Sequence, residues 1–350
     1  MQRKEFIRQT LAGGLAMTFP FRVDDEQQFV MTVSGQVNID KLGIVLPHEH
    51  IVTDFTGAEK VTQPQYNRMD AYHVILPALM KLKAHGVSLI TECTPNYIGR
   101  DVRLLQQLSD GSGINIMTNT GYYSAVGQKY LPQHAFDESI DQLAARFLKE
   151  WQEGIDGTGI RPGFIKLGVD GGPLKEVEKK IIKAAAQTHL KSGLKIAIHT
   201  GDDLAAREEY AILTGEGIAP QGFIWVHAQN DKTGDTQIEL AKKGCWVSLD
   251  GINATDASIR EYSDHLMRLK KNGLLNKVII SHDDGWAVNK NEHSGSVTLD
   301  LFKNGNTIPY QSIFTSLEPY LLKNGFTKED LSMLMIKNPA KAYAIKVCRI

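Results

Sequence analysis

Two histidines one residue apart open the chemistry of this chain, in Pro47-His48-Glu49-His50. Side chains alternate along a strand, so His48 and His50 leave the backbone on one side and Glu49 on the other. Two imidazoles at i and i+2 make a ready metal chelate. Further donors stand at the ends of other apolar runs: His199 in Ile-Ala-Ile-His-Thr-Gly, His227 in Ile-Trp-Val-His-Ala, and Asp283 in Ile-Ile-Ser-His-Asp-Asp. One such histidine alone reads as a hydrogen-bonded core residue. Four histidines and an aspartate, all at the ends of apolar runs, read as a metal centre, and the mixed N/O set suits Zn2+, with Mn2+, Co2+ or Fe2+ also accommodated. Lys166 lies inside the apolar run Gly163-Phe-Ile-Lys166-Leu-Gly-Val-Asp170. Burial disfavours its ammonium form, and a neutral amine can take up CO2 to become N6-carboxylysine, an anion able to bridge two metals. Otherwise Lys166 snorkels or pairs with Asp170 or Glu92.

These residues need elements to carry them. From about residue 28 the chain repeats an apolar run, a turn and an amphipathic stretch, which predicts strands at 43–48, 87–94, 114–121, 163–169, 194–199, 222–227, 244–249 and 277–281. Helical spacing is clearest in Ile140, Leu143, Phe147, Leu148 and Trp151 and in Ile259, Tyr262, Leu266 and Leu269, and Gly86, Gly193, Gly244 and Gly273 follow basic helix ends. Strands apolar on both faces suit a covered parallel sheet, and eight βα units closing on themselves make an α/β fold of the (β/α)8 TIM-barrel type. An open doubly wound sheet is the alternative, but no GxGxxG follows the first strand and no P-loop lysine motif occurs. In a barrel the active site lies at the C-terminal strand ends, where the donors stand. Three additions are expected: a hairpin within 23–42, a long polar loop at 284–311, and a helix pair at 327–347 opened by a Thr327-x-x-Asp330 capping box.

Composition narrows the partners. The 350 residues include 39 Lys+Arg against 40 Asp+Glu, a net charge of −1, so no global field draws the protein to nucleic acid. No apolar stretch is long enough for a membrane span. Cys93, Cys245 and Cys348 fit neither a disulfide framework nor a metal knuckle. Residues 3–8, Arg-Lys-Glu-Phe-Ile-Arg, precede a small uncharged run, so 1–22 reads as a twin-arginine-like export signal to the periplasm, with Lys4 in place of the second arginine. An ordinary amphipathic helix on a cytoplasmic protein is the other reading. Nothing divides 23–350, which is read as a single barrel domain carrying the metal donors.

HxH on strand one, lysine on strand four, histidine on strands five and six and aspartate on strand eight together resemble the phosphotriesterase family of the amidohydrolase superfamily. The resemblance covers roughly 30–345 and includes Ile98-Gly99-Arg100-Asp101-Val102, Gly113-Ile-Asn, Thr120-Gly121-Tyr122-Tyr123 and Asn338-Pro339-Ala340. It implies a binuclear centre: His48, His50 and Asp283 on a buried metal, His199 and His227 on a more exposed one, and carboxylated Lys166 with a hydroxide bridging them. Metal binding brings water toward neutrality in pKa, and Asp283 would take the nucleophile's proton as catalytic base. Glu92 is read as a support for a ligand histidine's other nitrogen, or as a surface or capping residue, and His282 and Asp284 as outer or loop residues. Tyr123 falls where lactonases of the family carry a tyrosine, or packs in the core. Trp286 stacks on substrate or pins its loop. The arginine that acyl-homoserine lactonases carry after the strand-seven aspartate is absent from Asp250-Gly251, which disfavours those substrates.

The expected activity is hydrolysis of a small-molecule ester or lactone, with promiscuous phosphotriesterase activity. A dedicated aryldialkylphosphatase and a non-catalytic metal-binding barrel are the alternatives. Lys166 argues against a mononuclear deaminase. Barrels of this kind commonly form a homodimer, though no residue specifies one here. His73, His85, His134, His189, His265 and His293 receive no role.

Overall fold

The computed structural model describes residues 28–61, 64–291 and 296–345, so the proposed export signal, His293 and Cys348 lie outside the described residues. Strands β1 (Phe29–Thr32) and β2 (Gly35–Asn38) form the expected antiparallel hairpin. The barrel strands follow: β3 (Ile44–Glu49), a two-residue β4 (Val52–Thr53) outside the barrel, β5 (Val87–Glu92), β6 (Asn115–Met117) with β7 (Asn119–Thr120), β8 (Phe164–Val169), β9 (Ile196–Thr200), β10 (Phe223–Val226), β11 (Trp246–Leu249) and β12 (Val278–Ile280). Every pairing among the barrel strands is parallel. The third predicted strand is broken at Thr118: its first part pairs with β5 and its second with β8. The circle closes between β12 and β3, where the His48 amide donates to Ser281 Oγ at 3.0 Å and the Asp283 amide to the His48 carbonyl at 3.2 Å.

Alternation sorts two apolar cores. Ile165, Leu167, Ile196, Ile198, Phe223 and Trp225 face the helices. Val45, Leu89, Met117, Phe164, Ala197 and Ile224 fill the barrel. The helices form for legible reasons. Ile140–Glu153 buries Leu143, Ala144, Phe147 and Leu148 along one stripe and is opened by a Ser139/Gln142 capping box. Asp256–Lys271 buries Ile259, Tyr262, Leu266 and Leu269. Gly193 and Gly244 end their helices at φ +77° and +107°, where a side chain would be strained. The Thr327/Asp330 capping box opens the terminal helical segment as expected, and that segment plugs the barrel floor. Tyr343 packs edge-on against Phe164 at 5.2 Å and donates to the Pro47 carbonyl at 2.9 Å.

The expected polar loop at 284–311 is more ordered than its composition suggests. Strands β13 (Trp286–Lys290) and β14 (Val297–Leu301) form an antiparallel hairpin, and β13 pairs in parallel with β4. Both strands are half exposed, so their sequence carries little of the apolar signal that marks a buried strand. No helix of the described residues is long and apolar enough to cross a membrane.

Candidate metal centre

Two of the expected donors follow from simple alternation. Lys166 continues the inward series of Phe164, and His199 that of Ala197. The others need an irregularity. The pairing of β3 with β5 shifts register between Leu46 and Glu49, which turns His48 inward although Leu46 faces the helices. Along β10, Trp225 faces outward and Val226 inward, so regular geometry would turn His227 out. Its left-handed backbone, φ +61°, instead brings its ring to 4.3 Å from His199 and 5.1 Å from His48, centroid to centroid. Asp283 also sits at positive φ, +57°.

These turns bring three donors together. One ligand atom each from His48, His50 and Asp283 lies within 4.8 Å of the others. Asp283 Oδ1 stands 3.2 Å from His48 Nε2 and 3.2 Å from His50 Nε2. On the far side, His227 Nε2 is 4.0 Å from Asp283 Oδ2. Neither ring nitrogen of the buried His48 has a hydrogen-bond partner. Burial pulls its pKa down to about 4, so the imidazole is neutral with a free lone pair at pH 7. Asp283 resists burial because the surrounding histidines hold its carboxyl well below the usual range. A buried, neutral, unpartnered imidazole beside an ionised carboxylate is a donor set that fits a divalent cation.

Supporting groups fix the other nitrogens. Thr94 Oγ1 meets His50 Nδ1 at 2.8 Å. Asp250 binds His227 Nδ1, and its own carboxylate accepts from Ser248 Oγ at 2.6 Å. Burial opposes the charge on Asp250, but His227 and His48 overcome it and hold its pKa down to about 2. Sequence reasoning passed over Asp250 as a support, although it is the polar residue ending strand seven and the strand-end rule would have found it. Glu92 is buried, which removes the surface or capping reading. Its Oε1 accepts from the Ile51 and Thr94 amides at 3.3 and 3.2 Å, so it braces the residue that holds His50 and does not itself reach a ligand ring.

Lys166 is buried, and desolvation lowers its pKa. It pairs with neither expected carboxylate. Asp170 is held by the Val126 and Gly127 amides and by Lys175. The Lys166 amine contacts the Leu167 carbonyl at 3.3 Å and lies 5.5 Å from the Tyr123 ring centroid. Tyr123 packs edge-on against His199 at 4.9 Å, at the mouth of the centre. Of the two readings of Trp286, the geometry matches the loop-pinning one: it is buried in β13, edge-on against Tyr310 at 5.7 Å. Two further aromatic rings near the donors are ones the sequence did not single out. Phe302 lies 5.6 Å from His50, and the exposed Phe55 lies 5.8 Å from Phe302.

The architecture and the site define a parallel (β/α)8 barrel with metal donors gathered at the C-terminal strand ends. The pattern of the phosphotriesterase family matches residues 28–343, and the chain belongs to that family. It is 27% identical to the phosphotriesterase homology protein of Escherichia coli K12, over 88% of this chain and 100% of that one. It is 29% identical to an aryldialkylphosphatase of Saccharolobus solfataricus, over 87% and 95%, and 23% identical to the human N-acetyltaurine hydrolase, over 91% and 98%. Relatives in the family are thus hydrolases. A crystal structure of the Escherichia coli homology protein, complexed with phosphate in its active site, superposes with a TM-score of 0.73 at 27% identity, covering 86% of this chain and 99% of that one.

Proposed function

We propose that this protein is a hydrolase of ester or lactone carbonyls that works with two divalent metal ions, Zn2+ foremost. The observation that carries this reading is Asp283 Oδ1 at 3.2 Å from both His48 Nε2 and His50 Nε2, with the buried His48 nitrogens otherwise unpartnered. His48, His50 and Asp283 would hold one ion, and His199 and His227 the other. Lys166 would join them as N6-carboxylysine: its desolvated amine adds to CO2, forming the N–C bond and releasing one proton. Bound metals supply a hydroxide nucleophile near neutral pH and polarise the substrate's oxygen. Asp283 would accept the proton of the attacking hydroxide as its oxygen bonds the carbonyl carbon, and pass it toward the departing alkoxide or solvent as the ester C–O bond breaks. Tyr123 borders the substrate, with Phe302 and Phe55 offering an apolar wall to its acyl or leaving group.

Organophosphate triester cleavage is the second reading, and the aryldialkylphosphatase relative favours it. The N-acetyltaurine hydrolase relatives add an amide to the panel worth assaying. The test is elemental analysis of wild type and Lys166→Ala, each expressed with Zn2+, with both run on lactones, an aryl ester, an N-acyl amine and an aryl phosphotriester. Near two metals per chain, falling with activity in the variant, is the expected result. One metal or none, unchanged by the substitution, overturns the bridged centre. Residues 1–22 we propose to be a twin-arginine-like export signal, tested by fractionating a tagged full-length chain in cells with and without that translocase.

A further inference from the structure

Glu49, between the two ligand histidines, faces away from the donor cluster and across the seam that closes the barrel. It is fully buried. Its Oε1 accepts from Ser281 Oγ at 2.7 Å, from the His282 amide at 3.0 Å and from His282 Nδ1 at 2.7 Å, while Oε2 accepts from the Asp284 amide at 2.9 Å. The two oxygens of this one carboxyl group therefore hold the peptide amides on either side of Asp283. The ring of His282 is fixed as well: the Ile313 amide donates to Nε2 at 3.1 Å, so Nδ1 carries the proton given to Glu49. Asp284 is tied from beyond by Asn306 Nδ2 at 2.9 Å and the Tyr310 amide at 2.6 Å.

The residue so framed is the one with φ +57°. Left-handed backbone is sterically unfavourable for a side-chain-bearing residue and persists where its surroundings over-determine it. We propose that Glu49 is a positioning residue for Asp283: by clamping the amides of residues 282 and 284 it holds Asp283 left-handed and so delivers Oδ1 to both His48 and His50. This rests on reading Asp283 as a metal ligand. Released from the clamp, the Asp283 peptide relaxes toward extended geometry and its carboxylate leaves the donor set.

Glu49→Gln tests this in the full chain, because a carboxamide sets an N–H against one of the donors and breaks the clamp while keeping the volume. Co2+ is the probe, read by its visible absorption and its affinity, alongside ester turnover and the melting temperature of the metal-free protein. Ser139→Ala, which loses a helix cap far from the centre, controls for stability alone. The expected result is a Co2+ affinity at least tenfold weaker in Glu49→Gln, a spectrum moved toward that of Asp283→Asn, and a kcat lowered at least tenfold with KM little changed. Ser139→Ala changes the melting temperature only. Wild-type Co2+ affinity and spectrum in Glu49→Gln overturn the proposal, as does a parallel shift of every readout in both variants. Should Glu49→Gln fail to fold, Glu49→Asp, too short to reach both amides, is judged by the same criteria. If the wild type binds Co2+ but hydrolyses nothing, the hydrolase reading falls while affinity and spectrum still decide the clamp. A wild type that binds no Co2+ removes both.

Discussion

The two sides of the metal centre are built differently. On the side of strands one and eight, His48, His50 and Asp283 are gathered within 4.8 Å and backed by the Glu49 seam and Thr94. On the side of strands four to six, His199 and His227 meet by ring contact, Asp250 grips one of them, and the Lys166 amine contacts only the Leu167 carbonyl and the Tyr123 ring. The first half is preorganised by hydrogen bonds laid down in folding. On the carboxylysine reading proposed above, the second would be completed only after folding. Preorganisation of a ligand set lowers the entropy lost on binding, so the first half should fill first and hold its ion longer.

The largest expected effect comes from Asp283→Asn, because Asp283 touches both halves. It should lower kcat about 10^2- to 10^4-fold, the range for loss of a positioned base, and elemental analysis should show metal lost from both halves. Retention of two ions would break the comparison at its hinge. Asp250→Asn comes next. Without the charge on its Nδ1, His227 should bind metal about 10- to 100-fold more weakly. Titration calorimetry should then show a clearly weakened second site and a smaller change at the first, whose His48 Nδ1 lies 3.9 Å from Asp250 Oδ2, and equal loss from both would mean that the halves are one cooperative unit. Thr94→Val removes the partner of His50 Nδ1, with a smaller effect of about tenfold on the first site, read in the same titration. The smallest is Ser139→Ala, which deletes a helix cap far from the centre. It should cost about 1 kcal/mol of stability in a denaturant melt, leave both metal sites as they were, and so set the floor against which the others are judged.

Much of this was legible in the sequence because apolar alternation is a direct record of burial. Lys166 and His199 follow it, and the eight strands fall where the apolar runs place them. His227 could be placed at a strand end but not aimed, because its direction depends on a left-handed backbone that a histidine's identity does not announce. Glu49 was correctly turned away from the chelate, yet what it turned toward lies 232 residues along the chain at Ser281, beyond the reach of local pattern. The β13–β14 hairpin was hidden for another reason: a half-exposed strand buries too little to leave a trace in composition.

The seam between strands one and eight also sets a timetable. The His48 amide waits for Ser281, 233 residues later, and Asp283 is made later still. A chain growing from its N-terminus therefore displays the HxH pair long before anything exists to complete it, and no partial product can hold the first ion as the finished barrel does. Metal loading is bound to the last turn of the barrel. A cell that releases this chain short of strand eight obtains a protein with five of its six donors and without Asp283, the one that joins them.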